Sequence, residues 1–145
     1  MKAKVIGYWV CTALVAFSML TSAAGHLTHM KQSVDGIMAL GYPLYFITLL
    51  GVWKAAGGLV ILAPGLPRLK EWAYAGIFFD LSSASVSHAA MGSGAFHVIV
   101  PLLMAAIALT SWALRPPSRV LGGPKVSRIF GAPSGVGAPS GVPAP

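Results

Sequence analysis

Four apolar runs, residues 5–24, 44–63, 72–91 and 96–114, take up most of the first 114 positions of this chain. Each approaches the ~20 residues that an α-helix needs to cross the hydrocarbon core of a bilayer. A backbone in lipid has no water to bond with and must satisfy its own N–H and C=O groups, so runs of this length are expected as helices. Only 9% of the 145 residues are charged and 56% are hydrophobic, which leaves too little polar sequence to cover a soluble globule. The expected fold is an all-α membrane protein. Residues 1–114 are read as an antiparallel four-transmembrane-helix bundle, and residues 115–145 as a basic, then Pro/Gly/Ser-rich flexible cytoplasmic tail.

The two middle runs are joined by the short polar link 64–71, and each carries one full charge near its middle, Lys54 and Asp80. Lys54 lies nine residues before Ala63, and Asp80 eight after Trp72. At about 1.5 Å per residue, both sit roughly 12–14 Å from the shared turn if the helices run antiparallel. A lone Lys or Asp at a helix centre costs about 2.5–3.5 kcal/mol on insertion scales, so opposite charges at matched depth are expected to pair. Such a pair has two readings: an ion pair that sets the register of two helices, or part of a proton or substrate path. In the first of these runs, Gly51, Lys54 and Gly58 share a face, and small residues there let a neighbouring backbone approach closely.

The net charge of +7 would raise nucleic acid as a partner, but the basic residues flank apolar runs and form no stripe with interleaved aromatics. They read instead as topology signals. Lys2, Lys4, Arg68, Lys70, Arg115, Arg119, Lys125 and Arg128 fall on one side, and Lys31 alone on the other. The bias places both termini in the cytoplasm, with the long connection 25–43 facing outward. The lone Cys11 excludes an internal disulfide and a CxxC redox centre.

Lys2, Lys4, an apolar core and the small residues Thr21 to Ala24 also fit a cleaved leader. The length of the run, and Tyr8 and Trp9 in the place of an interfacial belt, favour a retained first helix. In the last part of the chain the hexamer GAPSGV occurs twice, at 131–136 and 137–142, a composition that builds no core. Arg119, Lys125 and Arg128 are expected against anionic lipid headgroups.

The expected topology brings His26, His29, His88 and His97 to the outer side of the membrane. With Ser87 they make a candidate outer polar pocket, and Asp80, Ala84, Ser87, His88 and Met91 share one face of the third run. Ser18, Ser22, His26 and His29 would likewise share a face if the first helix extends that far. Imidazole ligates metals and haem, yet no acidic or thiol ligand accompanies these histidines and their spacing matches no metal signature. Hydrogen bonding to a quinone or another polar headgroup suits them better than a metal or haem. No Walker loop, GxGxxG unit, HExxH helix or GxSxG elbow is present, so soluble-type nucleotide or hydrolase chemistry has no support.

The glycine-flanked lysine of LGVWKAAGG, at 50–58, and the run KEWAYAG from 70, leading through Asp80 to Ser87 and His88, resemble the DoxX-like family. The resemblance covers residues 5–114 and implies a four-helix inner-membrane protein. Some relatives are membrane subunits of quinone-linked sulfur oxidation, such as thiosulfate:quinone oxidoreductase, although this chain offers no cysteine pair for thiol chemistry. Three roles follow. The chain could be an accessory subunit of a redox system, with a membrane or soluble redox partner; a proton-coupled carrier using Lys54, Asp80 and His88; or an assembly factor without catalysis. Four helices of this length enclose little volume, so a transport path would call for a homo-oligomer. Deleting residues 122–145 should leave membrane insertion intact, which carbonate extraction of the truncated chain would check.

Overall fold

The computed structural model describes residues 2–121; Met1 and residues 122–145, including the hexamer repeat, Lys125 and Arg128, lie outside that range. The described chain forms α1 (Lys2–Leu27), α2 (Lys31–Ala39), α3 (Leu44–Leu62), α4 (Pro67–Ala90) and α5 (Ala95–Ala113), followed by one 3-10 turn at Pro117–Arg119. That is five helices where four are expected. The added α2 is nine residues, roughly 13 Å long, and too short to cross a bilayer. Its Val34 and Ile37 are half-buried, while Lys31 and Asp35 pair at 2.8 Å and stay exposed. Gly36 in its middle disguises this short helix as loop sequence.

Three helices, α1, α3 and α5, are long and apolar enough to cross a membrane. The fourth long helix, α4, has the length, but Asp80, four serines and His88 dilute its apolar character. The protein is thus an all-helical, multi-pass membrane protein. Its long helices touch in the cyclic order α1, α3, α4, α5, each against two neighbours. Val15, Met19, Ile61, Tyr74, Ile77 and Ala105 form the centre where they meet.

Lipid tails are as apolar as leucine, so these helices are held by close packing and by buried hydrogen bonds. The packing depends on glycine where α1 crosses α3. A Cβ on Gly51 would stand 2.9 Å from Leu27 Cγ and 3.1 Å from His26 Cβ. One on Gly58 would meet Leu20 at 3.1 Å and Met19 Cβ at 3.3 Å. The hydrogen bonding runs through three helices. Thr12 Oγ1 donates to the Tyr8 carbonyl (2.7 Å), so the 2.8 Å contact with Ser111 is donated by Ser111. Ser111 in turn accepts from the Tyr74 hydroxyl (2.8 Å), which links α4 to α5 and α5 to α1. Ser85 Oγ donates to the Val98 carbonyl at 2.6 Å, next to the position whose helical N–H partner Pro101 removes.

The α3–α4 turn closes with Gly65 at φ +69° and Leu66 at φ +53°, and Pro67 opens α4. The last carbonyls of α3 would otherwise be orphaned. Lys70 reaches back from α4 and donates to Val60 O (2.6 Å), Ile61 O (3.3 Å) and Ala63 O. Its side chain is fully buried. Burial first, then Arg119 and Arg115, lower its pKa to about 8, so the ammonium is still the main form at neutral pH. Glu71 beside it accepts from Trp112 Nε1 (2.8 Å) and Arg115 Nη2 (2.6 Å). Burial works against that carboxylate, but these two bonds and the Arg115 charge outweigh it and hold the pKa below the usual value.

Past residue 114, where a flexible tail is expected, Arg115 and Arg119 pack back on the bundle. Arg115 is buried, and Arg119 lies 4.6 Å over the Trp9 ring and donates to the buried Tyr8 hydroxyl at 3.1 Å. Tyr8 therefore faces the interior rather than an interfacial belt. Replacing Gly51 with Val should cost about 1–3 kcal/mol by overpacking against α1. Gly36→Ala, where a Cβ meets nothing within 4 Å, should not destabilise. Thermal unfolding in detergent would compare the two.

Candidate functional site

The turn at Gly65 and Leu66 folds α4 back along α3 and brings their central charges together. Lys54 Nζ donates to Asp80 Oδ2 at 2.7 Å, and the two side chains keep only 10% and 17% of their exposure. A contact this short between opposite charges away from water is both a Coulombic and a hydrogen-bonded one. Removing one partner would strand the other in a medium of low polarity.

Two cavities meet at this pair, and Leu50, Lys54 and Asp80 line both. Toward α2 lies a chamber of about 410 Å³, whose wall includes His26, Tyr42, Phe46, Ser83, Ser87 and His88. Toward the α3–α4 turn lies a cleft of about 390 Å³, whose wall is apolar apart from the pair and includes Trp53, Gly57, Trp72 and Gly76. Trp53 and Trp72 are 68% and 79% exposed, so the cleft opens on the outer surface of the helices.

The chamber draws its polar groups from four elements. Tyr42, in the link two residues before α3, shares a 2.8 Å hydrogen bond with Ser87 of α4 and stacks on Phe46 at 4.7 Å. His26 comes from the last turn of α1 and is 8% exposed; its Nδ1 is buried with no hydrogen-bond partner. His88 Nδ1 lies 3.1 Å from Ser93 Oγ, and its ring is 5.3 Å from that of His97.

Of the residues singled out in the sequence, Lys54, Asp80, His26, Ser87 and His88 line one chamber. His97 stays exposed at its edge, against His88. His29 leaves the group: α1 ends at Leu27, and His29 takes a left-handed backbone (φ +50°) beyond it. Its Nε2 meets Thr48 Oγ1 at 2.9 Å instead, and it no longer shares the face of Ser18, Ser22 and His26. Pattern reading missed Tyr42, Ser83, Trp53, Trp72 and Gly76. Tyr42 reads as an interfacial aromatic, and nothing local marks Gly76 as one side of a gap. The spacing of Ser83 and Ser87 at i and i+4 on the Asp80 helix was the available signal.

Asp80→Asn alone should lower stability by about 3–5 kcal/mol, and Lys54→Met with Asp80→Asn by clearly less, since a stranded charge is worse than none. Unfolding in mixed micelles would read both, and equal losses would tell against the pairing.

A family model described as the DoxX-like family matches residues 10–111. No curated protein and no solved structure matches the chain.

Proposed function

We propose that this chain, which belongs to the DoxX-like family, is an accessory membrane subunit of a redox system and holds a quinone-type headgroup beside Lys54 and Asp80. The observation that carries this reading is the ion pair shared by a polar chamber and an apolar cleft. A headgroup of this kind is an apolar ring with carbonyl oxygens. Lys54 supplies a donor to one such oxygen, and the unpartnered His26 Nδ1 supplies a second polar contact. Reduction of a quinone to its quinol takes up two electrons and two protons. A carboxylate and an imidazole at the ring give those protons places to rest. The electrons come from a redox partner.

In this reading all four long helices cross the bilayer antiparallel, α4 included, with its polar groups turned to neighbours or to the chamber. Lys2, Lys4, Arg68, Lys70, Arg115 and Arg119 mark the cytoplasmic side of a bacterial inner membrane. The chamber and α2, with Lys31, then face outward, and the first helix is kept as part of the bundle. The chamber-side histidines serve as hydrogen-bonding groups without a metal or haem.

The cavities on both sides of the pair also fit a second reading, a small proton-coupled carrier. Protein purified in mild detergent should carry bound quinone, seen in the ultraviolet spectrum of its solvent extract, and the Lys54→Met, Asp80→Asn double variant should lose it. Absence of quinone binding on titration would overturn the redox reading. Proton-driven solute flux in liposomes, abolished by Asp80→Asn, would put the carrier in its place.

A further inference from the structure

Between Lys54 and the α3–α4 turn, small residues on both helices leave a gap at their outer surface. Ala56, Gly57, Ala73 and Gly76 line the gap. A Cβ built on Gly76 would meet nothing within 4 Å, and one on Gly57 would touch only Ile77, at 3.4 Å. These glycines differ from Gly51 and Gly58, which are tightly covered by α1. Small residues in membrane helices ordinarily serve close approach of a neighbour. Here only Ile77 reaches Gly57 and nothing covers Gly76, and the space left is about 390 Å³, bordered by the exposed rings of Trp53 and Trp72.

This space cannot stay empty in a bilayer, and what fills it is limited at both ends. Along its length the wall is apolar and open toward lipid, which suits a hydrocarbon chain entering sideways. At its closed end stand Lys54 and Asp80, then the chamber with the buried, unpartnered Nδ1 of His26. A phospholipid would either bring its phosphate, an uncompensated charge, to a pair that already neutralises itself, or lend the cleft an acyl chain alone and leave the pair without a ligand. A molecule with an uncharged, hydrogen-bonding head and one long apolar tail fits both ends.

We infer that the α3–α4 cleft is the tail subsite and lateral entry route for such a ligand, whose head lies at Lys54–Asp80 and whose tail lies along Gly57 and Gly76 between Trp53 and Trp72. This rests on the headgroup site proposed above and adds the tail as the determinant of ligand choice. The ligand reaches the pair from the lipid, while protons reach it through the chamber.

The test compares a long-tailed isoprenoid quinone with its tail-less ring analogue, titrated into protein in nanodiscs. Wild type should bind the tailed form at least tenfold more tightly. Gly76→Leu puts a branched side chain into the gap, where a Cβ meets nothing within 4 Å, and should bring that ratio close to one while leaving affinity for the tail-less ring unchanged. Gly76→Ala, a milder version, should fall between, and thermal unfolding would establish that both variants are folded. The Lys54→Met, Asp80→Asn double variant should weaken both forms alike.

If the tail-less ring binds at the pair but Gly76→Leu keeps the wild-type tail preference, the cleft assignment is overturned and the headgroup reading stands. If no quinone binds but a long isoprenoid alcohol does, in a Gly76-sensitive way, the quinone reading falls and the tail subsite stands. Failure of every tailed probe overturns the subsite.

Discussion

One hydrogen-bonded contact between opposite charges fixes how α3 and α4 stand against each other. Lys54 and Asp80 are 26 residues apart in the chain and 2.7 Å apart in space. A slip of one residue along either helix turns a side chain by about 100°, away from its partner. In lipid the cost of such a slip is a stranded ion, far larger than a lost van der Waals contact. Apolar packing alone would tolerate several registers of these two helices; the pair singles out one. With that register set, Tyr42 meets Ser87 at one end and Lys70 meets the last carbonyls of α3 at the other.

The two ends solve different problems. At the turn end, backbone carbonyls run out of N–H partners at the close of α3, and cations answer them. Lys70 takes Val60, Ile61 and Ala63, and Arg119 reaches Ile61 and Leu62 at 3.4 Å. Cations at a helix C-terminus also oppose its dipole, so the same side chains do both tasks. At the α2 end the polar groups are mostly uncharged, and one of them, His26 Nδ1, has no partner. A cationic end and a largely neutral one make the molecule asymmetric along its long axis, and each keeps one buried polar atom without a partner, Arg115 Nη1 at the first and His26 Nδ1 at the second. The chamber lies at the neutral end.

What could be read from the chain alone follows from which signals are local. Run length and high apolar content mark α1, α3 and α5, and they depend on nothing outside each segment. The matched depths of Lys54 and Asp80 needed only one assumption, a tight antiparallel turn at 64–67. Lys70 was legible only as a charge beside a turn; that it folds back onto α3 depends on the left-handed residues Gly65 and Leu66. The glycines show the limit most clearly. Gly51, Gly58 and Gly76 are alike in sequence, yet α1 covers the first two and nothing covers the third. The neighbour decides, and it lies elsewhere in the chain. His29 was misjudged for a similar reason, because where α1 ends decides which way its ring turns.

The bonds that Lys70 makes to α3 span only seven to ten residues. Together with the ion pair, they answer both central charges and the last α3 carbonyls inside the α3–α4 hairpin, while Glu71, Tyr74 and Ser85 bond to α5 and the segment after it. Such a unit has a consequence for biogenesis. In the proposed topology, with α4 also crossing the bilayer, the charges on Lys54 and Asp80 can be cancelled while both segments are still at the insertion machinery, so that the two helices would enter the bilayer as one piece. Neither segment then has to carry a bare ion into the hydrocarbon, and α1 and α5 can close around a preformed centre.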